Sequence, residues 1–245
     1  MTSAELKTVA RRALKENFFQ KMLLFIVPIV LTIITTFTTK AFSDFIDIDN
    51  ERIWKEFYET DILSDMLKEI TAVWQSIVIN EMLNFVISTL IAILTATAIF
   101  NYIDIFRGQK KEITLLSDTL RCFNDGYFGK IALLTITTQV ILYLLNWMIV
   151  IGWIPSILLS FGWSQAIMVL HDKLEDDDYK GIWDVLTTSY QLMKGYKFKY
   201  FLFQLTFIGW YFLDYLSHGF VNFWLIPFSN MAMVAFYEAR KQKRL

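Results

Sequence analysis

LMKGYKFKYFLFQLTFIGWYFL, residues 192–213, sets lysines between aromatics and then runs on almost without charge. Lys194, Lys197 and Lys199 alternate with Tyr196, Phe198 and Tyr200, a pattern that a nucleic-acid strip and a bilayer interface would both accept. The rest of the chain decides between them. Hydrophobic residues make up 55% and aromatics 17% of the 245 residues, with mean hydropathy +0.42, more apolar surface than a soluble domain of this size buries. The net charge of -1 offers no cationic excess for a polyanion, so no nucleic-acid partner is expected. The strip therefore reads as a cytoplasmic interface belt. Its aromatics anchor at headgroup level, and its lysines snorkel toward water and anionic lipid.

Working outward, three prolines and nine glycines leave room for long helices, and the expected class is all-α. Six apolar segments stand out, at about residues 22–38, 83–103, 131–151, 156–170, 200–216 and 220–237. They predict one polytopic membrane domain over 1–245 with interfacial amphipathic helices between the spans. Thr2 and Glu5 stand at capping-box spacing ahead of one such helix, in which Leu6, Val9, Ala13 and Leu14 oppose Lys7, Arg11 and Lys15. Residues 40–82 form an acidic stretch in which Leu63 to Ile77 also repeat at helical period. Ala41, Phe42 and Ser43 could end a signal peptide, but Lys40 beside the cut and an n-region of about twenty residues speak against cleavage. The residues of Gly152 to Pro155 turn the third span into the fourth.

Six spans place both termini and the two middle connections on one side. That side carries nineteen of the 23 lysines and arginines, so the termini are expected in the cytoplasm and segment 40–82 outside. Ser88, Ala92 and Ala96, and again Ser156, Ser160 and Ser164, recur every four residues, faces on which another helix can pack closely.

Catalytic signatures are missing. There is no P-loop, GxGxxG, HExxH or GxSxG, and one cysteine, Cys122, with two histidines argues against a thiol or His-rich metal centre. No cofactor is expected. The Glu175 to Asp178 run lacks the alternating ligands and glycine of a calcium loop, and reads as a solvated stretch before the helix bearing Trp183, Leu186, Tyr190 and Met193. Asp104, Asp214 and Glu238 lie at span ends. Asp104 and Glu238 are expected beside Arg107 and Arg240, and Asp214 one turn from His218 as a surface hydrogen bond, with acid-base work as the alternative. Gln139, Asn146, Gln204, Ser229 and Asn230 are the uncharged polar residues within spans. They either bond across helices or line a polar cavity for a transported or lipid ligand.

Ser189 with LMKGYK, FIGW at 207–210, WLIPF at 224–228 and AFYE at 235–238 together resemble the bacterial membrane-protein family called domain of unknown function 975. The likeness is strongest from Trp183 to Arg240. Ser156 stands where that family usually has glycine, and Phe228 where tyrosine is frequent. The resemblance implies a polytopic membrane protein, chiefly of Gram-positive bacteria, and carries over no catalytic residue. Function is therefore expected to be non-enzymatic. The protein reads as an accessory, regulatory or scaffolding component that meets lipids and another membrane protein or a second copy, with a small transporter or lipid-handling protein as the alternative.

Overall fold

The computed structural model describes the backbone of residues 1–40, 63–148 and 151–243, and the side chains of those residues other than 63–70, 72 and 73. The proposed cleavage motif at Ala41 to Ser43 and most of the acidic segment lie outside the described residues. Among those described, every regular element is a helix. They run as α1 (Ser3–Lys15), α2 (Phe18–Leu23), α3 (Ile26–Lys40), α4 (Leu63–Phe106), α5 (Leu115–Thr119), α6 (Arg121–Asn124), α7 (Phe128–Trp147), α8 (Trp153–Trp163), α9 (Ala166–Glu175), α10 (Ile182–Leu192), α11 (Lys197–Leu205), α12 (Ile208–Leu216) and α13 (Asn222–Lys241).

Contacts divide the chain into two units. One is Val30–Ile91, where the hydroxyl of Thr39 donates to Asn84 Oδ1 at 3.5 Å. The other, Met1–Ile29 with Ala92–Leu245, contains the α1–α13 packing and the ionic cluster described below.

Among the described residues, three helical stretches are long and apolar enough to cross a membrane: Trp74–Phe106, Phe128–Trp147 and Trp153–Glu175. They contain the second and fourth expected spans and residues 131–147 of the third. The first of them, 33 residues or about 50 Å, exceeds a hydrocarbon core of about 30 Å. The other three expected spans differ, each for a local reason. Apolar segment 22–38 is interrupted at the buried Leu24 and Phe25, and leaves α3 with 15 residues, about 23 Å. Segment 200–216 is divided into α11 and α12. There Trp210 donates its amide to Phe207, so the Thr206 carbonyl is freed and takes Lys7 Nζ instead, at 2.8 Å. Segment 220–237 becomes α13, whose last turn holds Arg240 and Lys241 and whose buried residues run almost unbroken from Leu225 to Ala239. It is a core helix.

What covers α13 is chiefly α1. The Thr2–Glu5 capping box forms, and the buried face Leu6, Ala10 and Leu14 packs against α13. Lys7 stands 3.9 Å over the Phe207 ring and Arg11 5.6 Å over Phe228. The basic amphipathic helix expected at a lipid interface thus spends its apolar stripe on protein. From the other side α11 contributes aromatics: Phe203 stacks on Phe236 at 5.5 Å, and Tyr200 meets the same ring edge-on at 5.2 Å.

Two glycines permit the closest approaches. A Cβ at Gly152 would overlap the Leu145 carbonyl, so the α7–α8 turn requires glycine there. One at Gly162 would run into the Tyr190 ring, and beside it Ser189 donates to the Gly162 carbonyl at 2.9 Å. The inward face of α10 is Ile182, Val185, Leu186 and Ser189, rotated from the expected stripe, so that Trp183 points outward.

Candidate functional site

The C-terminal ends of α4, α9 and α13 meet, with α6 beside them, and each brings ionisable residues three or four apart. From α4 comes Asp104 and from the turn just after it Arg107; from α9, His171, Asp172 and Glu175; from α13, Tyr237, Glu238 and Lys241; from α6, Arg121. Helical spacing of that kind sets two charged groups on one face, where a second helix end can reach both.

Arg107 is the hub. Its Nε and one terminal nitrogen donate to Glu238 at 2.9 and 2.7 Å, the same terminal nitrogen to Asp172 Oδ1 at 2.6 Å, and the other to Glu175 at 3.1 Å. Burial works against its charge, but Asp172 and Glu238 outweigh that and push the guanidinium pKa further up. Asp172 is shared: its Oδ2 accepts from Tyr237 at 2.6 Å and Lys241 at 2.5 Å. Across the cluster Asp104 accepts from Arg121 and, at 3.0 Å, faces His171 Nε2. Arg121 also donates to Asp125 at 2.9 Å, and its pKa is raised, burial being outweighed by the two carboxylates. Beside it Lys110 joins Asn101 at 2.8 Å and Asp118 at 2.5 Å. Phe100 meets the His171 ring edge-on at 4.8 Å. A cavity of about 270 Å³ opens here, lined by Phe100, Asp104, Gln109, Arg121, Tyr127, His171 and Glu175.

Asp104 and Glu238 stand at helix ends near Arg107 and Arg240 in sequence, but their ion pairs lie elsewhere. Asp104 engages Arg121 and His171 rather than Arg107, and Glu238 engages Arg107 rather than Arg240, which donates to the Leu192 carbonyl at 2.8 Å and covers the Tyr196 ring. Asp214 accepts from Asn222 at 3.0 Å, and no hydrogen bond joins it to His218 among the described residues.

The polar span residues are placed separately. Ser229 and Asn230 both donate to the Ile226 carbonyl, Gln204 donates to the Tyr200 hydroxyl, Gln139 is half-buried, and Asn146 is exposed near the end of α7. None of the five lines the cavity above. Of the small-residue faces, Ala96 and Ser156 are buried, Ala92 and Ser164 half-buried, and Ser88 and Ser160 exposed and bonded within their own helices. In the belt, Lys197 leaves the expected snorkelling position to donate to Leu158 at 3.0 Å over the Tyr190 ring, whereas Lys194, Phe198 and Lys199 are exposed. Cys122 is buried and unbridged.

Residues 137–244 match the family described as "Protein of unknown function (DUF975)". This match supports the chain's place in the DUF975 family. The matched DUF975 segment supplies the α9 and α13 halves of the ionic cluster, while Asp104, Arg107 and Arg121 precede it. No curated protein and no solved structure matches the chain.

Proposed function

We propose that this DUF975 protein is a non-enzymatic component of the bacterial cytoplasmic membrane, an accessory or scaffolding subunit that binds another membrane protein through α7. The observation that carries this reading is the contrast on α7: Leu133, Tyr143, Leu144 and Trp147 are exposed, and only 17% of its apolar window is buried, whereas the charged groups at the helix ends are spent on one another. Groups locked in multiple ion pairs have little freedom to exchange protons with a substrate, which favours a structural role for the cluster.

The meeting of the α4, α9 and α13 ends supports a common side for the two middle connections and the C-terminus. Together with nineteen of 23 cations on that side, it favours six membrane-embedded apolar segments with both termini cytoplasmic. In this reading α13 and its neighbours form the inner packing, and lipid or partner meets α7.

A photo-crosslinking amino acid at Leu144 or Trp147, with Val234 in the core as control, tests the role in native membranes. The expected result is one defined protein adduct from the α7 positions and none from Val234. Lipid adducts alone, with the chain purifying as a monomer in nanodiscs, would sink the proposal.

A further inference from the structure

The ionic cluster contains one position that its ion pairs do not explain. His171 is 4% exposed, and its Nδ1 has no hydrogen-bond partner among the described residues. The other ring nitrogen, Nε2, faces Asp104 Oδ1 at 3.0 Å, which holds the Nε2–H tautomer of the neutral imidazole and leaves Nδ1 as the nitrogen with a lone pair to give a metal ion. Two carboxylate oxygens lie near Nδ1, Asp172 Oδ1 at 3.7 Å and Glu175 Oε2 at 3.8 Å. Three electron-rich atoms converge, and each separation is too long for a proton to bridge.

We propose that His171 Nδ1, Asp172 and Glu175 form a binding site for a divalent first-row transition-metal ion such as Zn²⁺. The ligand atoms lie within 4.8 Å of one another. Two metal bonds of about 2.0–2.2 Å at a tetrahedral angle hold their ligand atoms about 3.3–3.6 Å apart, close to both histidine-to-carboxylate separations. Glu175, 42% exposed, closes the remaining gap by exchanging its bonds from Arg107 at 3.1 Å and Gln109 at 2.9 Å for the ion. The outer shell is in place as well. Asp104 fixes the imidazole tautomer and orientation as a carboxylate behind a metal-bound histidine does, and Phe100 packs on the ring. Imidazole with two carboxylates suits a borderline ion, and the adjoining cavity leaves room for a water as fourth ligand. Arg107 is the competing cation. On metal binding it yields Glu175 and Asp172 Oδ1 and keeps Glu238, while Tyr237 and Lys241 still hold Asp172 Oδ2, so occupancy loosens the tie between Arg107 and α9. The site goes beyond the accessory role and stands or falls without a partner protein.

The test is metal titration of the full chain, purified without a histidine tag, using Co²⁺ absorption and Zn²⁺ competition. One equivalent is expected, with ligand-field bands that report nitrogen and oxygen ligands. His171→Gln abolishes the bands and lowers affinity about 100-fold, and Asp104→Asn, which removes no ligand, lowers it about 10-fold to 100-fold. Glu175→Gln, at a half-exposed position where folding is not at stake, also weakens binding. Absence of stoichiometric binding at micromolar metal, or binding indifferent to both His171→Gln and Glu175→Gln, overturns the proposal.

Discussion

Helices α7 and α13 are both 20 residues long, and they occupy opposite environments. The more apolar one is on the outside. α7 buries Ile131, Leu134 and Thr135, while α13 buries thirteen residues, among them Ser229, Asn230 and Glu238. In water this distribution would be upside down. In a bilayer it is the expected one, because lipid tails accept any apolar side chain and helix association rests on close packing and interhelical polar contacts instead. In a membrane, hydropathy would mark α7 as the helix left for lipid or a partner, and burial must be sought in the less apolar one.

The contrast is broken most directly by truncating one side chain on each helix. Phe236→Ala, in a fully buried ring contacting Tyr200 and Phe203, is expected to cost about 3–5 kcal/mol. Leu144→Ala, 60% exposed on α7, is expected to stay within about 0.5 kcal/mol. Denaturant unfolding in mixed micelles measures both. Equal losses would mean that α7 is packed by something in the native state, and would move it from the lipid side to the core side of the comparison.

Arg107→Met comes next. It leaves Glu238 and Asp172 as carboxylates at helix ends without their shared cation, and an ion pair broken in that way costs about 3 kcal/mol or more. Lys241 and Tyr237 still hold Asp172, which places the loss below that of Phe236→Ala. Thermal unfolding of Arg107→Met beside Arg107→Met/Glu238→Gln checks the cause: the second change should recover part of the loss. No recovery would place the role of Arg107 in packing and not in charge.

How much of this was legible in the sequence follows the same division. α7 and the Trp153–Glu175 stretch were readable because an apolar run needs no partner to be recognised. Gly152 was readable as a turn, and the cation count set the orientation proposed above. The burial of α13 was not, because it depends on α1, some 220 residues away, choosing protein over lipid with a stripe that would suit either. Nor was the ionic cluster. Asp104 and Glu238 were placed at helix ends, but the sequence named only their neighbours Arg107 and Arg240 and not the partners that tertiary topology supplies. A usable signal was present: Asp104 with Arg107, Asp172 with Glu175 and Glu238 with Lys241 each stand three apart at the end of an apolar helix. Acids and bases repeated in that register on helix ends sharing one side predict a shared network. His171 was discounted as one of only two histidines, although its place beside Asp172 put it within that register.

A smaller effect tests the α7–α8 hairpin. Gly152→Ala forces a Cβ onto the backbone carbonyl of Leu145, which cannot rotate away, and is expected to cost about 1–3 kcal/mol. Gly162→Ala meets only the Tyr190 ring, which is 38% exposed and able to turn aside, so it is expected to cost less. Unfolding of the two variants side by side decides it. The reverse order would mean that the Ser189 to Gly162 contact holds Tyr190 rigid, and that α8 and α10 pack more tightly than the α7 turn.

The smallest expected effect concerns the coat over the core helix. Lys21 is 6% exposed, and its Nζ donates to the Ala13 carbonyl at 2.7 Å. Burial lowers its pKa below the ordinary 10.5, and Glu16 only partly opposes this. A lysine with a depressed folded-state pKa binds fewer protons folded than unfolded in the window between the two values. Stability therefore rises as pH climbs through the lowered folded value toward 10.5, and below that window the fold carries the full cost of the buried charge. Lys21→Met removes the term. Unfolding of both proteins from about pH 8 to about pH 10 should show the wild type gaining relative to Lys21→Met. Parallel curves would mean that Lys21 reaches water in the native membrane, and that the α1–α2 coat stands open where the structure closes it.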